Sequence, residues 1–189
     1  QDTFSTPFLC LKVNGFKGRW ETQSLFEFKP KNYMKRLGFN DDEIEDLFQI
    51  IFKDKRWEDI DLGILNIEEY TQALCSEHPE YKDKITQMFS ENWRKEFLKP
   101  KEDSIQFLLE ASKNYNIYLL SNISEYVLTY VKELGFWDKV SGGTYSYNVR
   151  YLKPESAIYQ SFINDNKKTF ISFDSETIEQ SLVKLLKKN

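Results

Sequence analysis

Two short runs hold the groups best suited to chemistry. Leu119-Leu120-Ser121-Asn122 closes an apolar stretch with a hydroxyl and a carboxamide, and Lys153-Pro154-Glu155 follows the next strand-like stretch. Small polar residues at the end of a buried strand lie where α/β proteins form ligand sites. Donors of this kind bind an oxyanion, and a lysine reaching the same crevice offsets its charge. Pro154 restricts the backbone of Lys153 and helps aim its ammonium. The plainer alternative for Ser121-Asn122 is a helix cap for Ile123 onward, with Ser124 as a competing cap.

Other chemistries have less to work with. The chain has one histidine, His78 beside Pro79, so a Ser-His-Asp triad could form only through it, and a multi-histidine metal site is excluded. His78 is expected at a helix end. Cys10 and Cys75 are far apart and show no CxxC spacing. They read as buried free thiols of a reducing compartment, which points to the cytoplasm. Net charge is −4 with acids and bases interspersed, and no concentrated basic face suggests nucleic acid. Lys184, Lys187 and Lys188 suit a helix C-terminus. No apolar run approaches the roughly 20 residues that span a bilayer. Phe8 to Val13 is too short for a signal core and is interrupted by Lys12. A chain starting at Gln1 reads as a fragment or a processed product.

The elements that must position Ser121, Asn122 and Lys153 follow from periodicity. The 189 residues, 40% hydrophobic and 16% aromatic, support one large domain or a domain with an insertion. Phe8 to Val13 reads as a short strand ending at the Asn14-Gly15 turn, and residues 16–30 read as irregular. Residues 40–100 read as helices only. Asn40 or Asp41 caps a helix with Ile44, Leu47, Phe48, Ile51 and Phe52 on one face. Asn66 and Glu69 form a capping-box pattern for the next helix, which His78-Pro79 stops. Glu80 to Ser90 gives a third, and Asn92 to Leu98 continues until Pro100. Trp57, Trp93, Phe97 and Trp137 could anchor a protein partner, although aromatics at helical spacing more often form core.

Beyond residue 100, helix and strand alternate. Helix 103–113 leads to strand 117–120, helix 124–134 to strand 139–145, helix 155–164 to strand 169–173, and helix 176–188 closes the chain. Alternation of this kind implies right-handed crossovers and a parallel sheet. The expected fold is therefore α/β: a Rossmann-like parallel sheet with helices on both faces, plus a small all-helical cap insertion. Residues 1–30 and 100–189 form the core domain and 31–99 the cap.

In order and spacing, the chain resembles the haloacid dehalogenase (HAD) superfamily, in its subgroup with a small helical cap after the first strand. The residues that carry the likeness are Leu119-Leu120-Ser121-Asn122, Lys153-Pro154-Glu155-Ser156-Ala157-Ile158-Tyr159 and Phe170-Ile171. Trp57-Glu58-Asp59-Ile60-Asp61-Leu62-Gly63 with Glu68-Glu69-Tyr70 resembles the cap segment, and Asn92-Trp93 with Leu98-Lys99-Pro100 its return to the core. The resemblance implies hydrolysis of a small phosphorylated metabolite or, less commonly, of a halo-acid. The family's nucleophile is an aspartate just after the first strand, and a second acid there serves as general acid and base. Acids after the last strand hold Mg2+. Ser121 and Asn122 match the phosphate-binding positions, and Lys153 matches the charge-offsetting lysine.

Two motifs depart from this pattern. No aspartate lies between Asp2 and Asp41. Lys12 stands at the nucleophile position and Asn14 at the general-acid position. Counting back without gaps from Phe28-Lys29-Pro30 puts Trp20 there instead, with Glu21 one place off as a displaced carboxylate and Glu27 beyond the motif. None of Lys12, Asn14 and Trp20 can form an acyl phosphate. Near the last strand, Ser172 and Phe173 occupy the acid positions, and Asp174 could replace them as a metal ligand only through a register slip. Asp174 otherwise caps the final helix. Both departures fall near the chain ends, as an altered coding sequence there would also produce. Arg150 stands where a small residue is usual, facing either bound anions or solvent. The expectation is a HAD-like protein that binds a small anion, has weak or no hydrolase activity, and makes doubtful use of the family's Mg2+. The alternatives are an active hydrolase with a displaced carboxylate, and a protein-interaction module on the same fold.

Overall fold

The structure, a computed structural model, describes residues 8–11 and 21–165. Lys12, Asn14 and Asp174, the predicted strand 169–173 and the predicted helix 176–188 lie outside the described residues. Strand β1 (Phe8–Leu11) pairs antiparallel with β2 (Glu21–Ser24), with Leu11 opposite Glu21. β1 also lies alongside β5 (Ile117–Ser121).

Strand β3 (Phe26–Phe28) pairs antiparallel with β4 (Leu98–Pro100), with Phe28 opposite Leu98. Lys29 N–H donates to Phe97 O and Lys101 N–H to Leu25 O, each at 2.8 Å, which lengthens this ribbon at both ends. The chain thus leaves for the helical insertion and returns from it through one two-stranded neck. Residues 16–30 were expected to be irregular and 92–98 helical throughout. Instead, 21–24 and 26–28 are strands, and the helix stops at Phe97. Segments this short show no periodicity of their own; pairing with a distant segment makes them strands.

The insertion comprises α1 (Pro30–Arg36), α2 (Asp41–Phe52), α3 (Arg56–Asp61), α4 (Ile67–Glu77), α5 (Lys82–Met88) and α6 (Trp93–Phe97). α2 starts in a full capping box: Glu43 N–H donates to Asn40 Oδ1 at 3.0 Å, and Asn40 N–H to Glu43 Oε2 at 3.1 Å. At α4 one half of the predicted box forms, with Glu69 N–H donating to Asn66 Oδ1 at 2.8 Å. His78 ends α4, as expected. The apolar faces meet in one core that includes Ile44, Leu47, Ile51, Tyr70, Leu74 and Phe97.

Within that core the aromatic rings meet edge to face or tilted. Phe97 is fully buried, with its ring centroid 5.2 Å from Trp93, 5.4 Å from Phe52, 5.7 Å from Tyr33 and 6.0 Å from Phe28. Edge-to-face pairs add to the gain from buried area. Trp93 and Phe97 are therefore core residues and not partner anchors. Cys75 is a partly buried free thiol.

The α/β part contains α7 (Glu102–Ser112), β5, α8 (Glu125–Lys132), β6 (Val140–Tyr145), α9 (Ser146–Val149) and α10 (Ser156–Asp165). β5 and β6 pair in parallel, and every residue of β5 is buried. Ile117 and Leu119 face a cluster with Leu108, Leu128 and Val131, while Tyr118 and Leu120 face Ile158 and Phe162 of α10. This is a strand covered by helices on both faces. Gly143 on β6 is required by close approach: a Cβ there would lie 2.7 Å from Leu119 O and 2.6 Å from the Tyr145 hydroxyl. Among the described residues, no helix is long and apolar enough to cross a membrane.

Because Phe97 joins α6 to the neck and to α1 and α2, truncation should unseat the whole insertion. Phe97→Ala is expected to cost about 3–5 kcal/mol of unfolding free energy. Urea denaturation checks this; a loss below about 1 kcal/mol would mean the ring cluster does not hold the insertion.

Candidate functional site

β5 ends at Ser121 because the chain turns there to start α8. Ser124 caps that helix, accepting from Val127 N–H at 3.3 Å. The competing cap thus takes this role, leaving Ser121 and Asn122 for other work. Both are buried, at 7% and 5% exposure. Asn122 reaches across to the loop after α9: its Oδ1 accepts from Lys153 N–H at 2.7 Å, and its Nδ2 donates to Lys153 O at 3.2 Å. Two bonds to the backbone of one residue, one through its N–H and one through its C=O, fix where the lysine side chain starts. The Lys153 ammonium approaches Leu120 O at 3.4 Å, close to the strand end. Ser121 Oγ donates to Asn122 O at 3.3 Å. The Lys153–Pro154 peptide is cis.

A second strand end converges on the same place. Ser146, at the end of β6, is fully buried. Its Oγ accepts from Ile123 N–H at 2.8 Å and donates to Asp61 O at 2.6 Å, the latter at the end of α3 in the helical insertion. Next to this contact, the Arg150 guanidinium donates to Leu62 O. Arg150 is exposed and left-handed, with φ +63°, and it holds the insertion's turn. Its exposure agrees with the expected solvent-facing role, and the hydrogen bond to Leu62 O is a further contact that the sequence did not suggest. Gly63 completes the turn at φ +66°, where a Cβ would lie 2.7 Å from Arg150 Nη1 and 3.2 Å from Tyr147 Cβ. Any larger residue there would be strained and would also collide with the guanidinium.

Asp61 brings a carboxyl to this junction. The residue is half-buried. Burial pushes its pKa up to about 7, opposed by the positive charge of Lys153 and assisted by Glu58. Sequence reasoning gave Asp61 and Ser146 no role. The strand-end rule that singled out Ser121 would also have found Ser146 at the end of β6. Nothing local marks Asp61, because its approach to Lys153 depends on how the insertion sits.

Ser121, Asn122 and Lys153 are thus close together, whereas Lys12, Asn14 and Asp174 lie outside the described residues. Among the described residues, no group of three His, Cys, Asp or Glu could hold a metal ion. Asp61 beside Lys153 suits a hard divalent cation poorly, since such ions want several oxygen ligands and no ammonium nearby.

No protein-family model and no curated protein matches the chain. Solved structures do. The HAD family enzyme BT-2542 from Bacteroides thetaiotaomicron superposes at 18% identity with a TM-score of 0.54, over 84% of this chain and 85% of that one. Its wild-type complex with magnesium and inorganic phosphate gives 21% identity and a TM-score of 0.54, over 76% and 74% of the two chains. An aspartate-to-alanine mutant in complex with the same pair gives 20% and 0.51, over 76% and 74%. The chain therefore has the fold of the haloacid dehalogenase superfamily, mixed α/β with a helical insertion.

Two measurements probe the junction. Ser146→Ala removes the bonds to Ile123 and Asp61 and leaves a buried N–H unpaired, so it should cost about 1–3 kcal/mol in a denaturant titration. Asp61 titrates near 3.8 when unfolded and about 7 when folded, so the folded state binds the extra proton between those values. Its ionisation therefore lowers stability as pH rises through that window, by on the order of a few kcal/mol above it. Asp61→Asn is expected to gain stability relative to the parent as pH rises from about 4 to 7. A pH-independent difference in thermal melts would refute the buried-acid assignment.

Proposed function

We propose that this chain is a HAD-like hydrolase-type protein that binds a small phosphate-bearing anion between Ser121, Asn122 and Lys153 and hydrolyses it weakly or not at all. The observation that carries the reading is the pair of hydrogen bonds between the Asn122 side chain and the Lys153 backbone N–H and C=O, at 2.7 and 3.2 Å. They fix the start of a lysine whose ammonium lies at the end of a fully buried strand. Fixed donors around a desolvated point suit an oxyanion, because no reorganisation is needed when it arrives. The complexes of the BT-2542 enzyme with inorganic phosphate are consistent with such a ligand. Residues 31–99 would act as the cap over this crevice, and the free thiol usage fits the cytoplasm.

Impairment follows from the sequence. Lys12 and Asn14 match the positions of nucleophile and general acid, and loss of a nucleophile typically costs on the order of 10⁴ to 10⁶ in rate. An ammonium at position 12 would add positive charge near Lys153, favouring a bound anion and disfavouring a cation. One observation supports the runner-up: Glu21 lies opposite Leu11, the last residue of β1, so a displaced carboxylate would be borne on the neighbouring strand.

An assay with para-nitrophenyl phosphate and magnesium separates the two readings. The expected result is no turnover above background; turnover abolished by Glu21→Gln would establish the displaced nucleophile instead. Phosphate and vanadate at saturation should raise the melting temperature by about 5 °C or more, and Lys153→Ala should remove most of that shift. No shift with either anion would leave the interaction-module reading.

A further inference from the structure

Asn122 grips the Lys153 loop from the end of β5, and Glu155 grips it from the other side, just before α10. The Glu155 side chain reaches back three residues, where its Oε1 accepts from Leu152 N–H at 2.7 Å. The Glu155 N–H donates to Leu152 O at 2.8 Å. The peptide plane that joins Leu152 to Lys153 is therefore held at both edges: Asn122 Oδ1 takes its N–H at 2.7 Å, and the Glu155 N–H takes its C=O. Pro154, between Lys153 and Glu155, has no N–H with which to close the turn. Glu155 is exposed, so water competes for its carboxylate, and a charge-assisted bond to one backbone N–H gives that carboxylate a defined place. The plain role for such a residue is to begin α10, which would leave the anion pocket indifferent to it.

We propose that Glu155 is a positioning residue, which closes the loop on Leu152 and so holds the Lys153 ammonium at the end of β5 for an incoming anion. This rests on the anion pocket proposed above. A lysine side chain is long and flexible, so its ammonium is only as well placed as the backbone beneath it. Asn122 fixes Lys153 relative to β5, and the bond from Leu152 to Glu155 stops the preceding residue from pivoting about that clasp. With both in place the ammonium stays near Leu120 O, 3.4 Å away, and the anion meets a preset positive charge. The Glu155 carboxylate is itself negative and would repel an anion, so its contribution comes through the lysine. Reach matters more than charge here. Glutamate and glutamine both reach back three residues to a backbone N–H, as in a capping box, whereas aspartate is one methylene shorter.

The probe is orthophosphate, with dissociation constants measured by calorimetry on the full chain. Glu155→Asp keeps the charge and loses the reach; Glu155→Gln keeps the reach and loses the charge. Glu155→Asp and Glu155→Ala should each bind orthophosphate about tenfold more weakly, and Glu155→Gln should stay within about twofold of the parent protein. The aspartate and glutamine variants suffice if the alanine variant fails to fold. Brief acetylation read by mass spectrometry ties the effect to the lysine. Orthophosphate should protect Lys153 in the parent protein and in Glu155→Gln, and about tenfold more should be needed in Glu155→Asp, with labelling of the other lysines unchanged. A role confined to starting α10 would loosen the fold and raise labelling at other lysines too. That result, parent-like binding by Glu155→Asp, or a Glu155→Gln as weak as Glu155→Ala would each overturn the assignment of Glu155 and leave the anion pocket standing. If orthophosphate does not bind the parent protein, the anion pocket itself is wrong and Glu155 loses its role with it.

Discussion

The arrangement depends on the fully buried hydroxyl of Ser146. It accepts a hydrogen bond from Ile123 N–H just past the end of one parallel strand, sits at the end of the other, and donates to Asp61 O in the helical insertion. Three separate chain segments thus meet at one oxygen. A hydroxyl can accept and donate simultaneously, and no apolar side chain of similar size can replace it. In a buried setting each of these bonds counts for more than at the surface, since a lost partner cannot be replaced by water. The Asn122 clasp on Lys153 is built on the strand end that Ser146 holds.

A second constraint sets the insertion's placement. The β3–β4 neck allows hinge-like freedom unless side chains fill the space beside it. Phe28 and Val127 pack against both the helical core and the α/β core, so the two cores share a boundary and not just a tether. Trp93 stacks on Tyr126 with centroids 6.0 Å apart, and the Arg94 guanidinium lies 4.0 Å from the same ring. These contacts and the Arg150 bond to Leu62 fix the insertion on opposite sides of its turn. Asp61 owes its burial to that placement, and its raised pKa is the electrostatic consequence.

The chemistry at the junction is unusually polarised. Donors come from the strand end and the following loop, and the insertion adds the Asp61 and Leu62 carbonyl oxygens as acceptors. This differs from a crevice built around clustered carboxylates, where a cation mediates the contact with phosphate.

The sequence alone determined whatever rests on local rules. Capping residues such as Asn40 and Ser124, the helical faces of α2 and α4, and the apolar run of β5 were all legible, because neighbours a few residues apart set them. The strand-end rule also placed Ser121, Asn122 and Lys153 in one region. Strands β2, β3 and β4 were missed, since three or four residues carry no period and become strands only by pairing. Only the tertiary structure decided the rest: that Ser146 bonds to a residue 85 positions away, and that Arg150 closes on the insertion. Such contacts depend on the relative placement of two packed layers, which no local pattern of residues encodes.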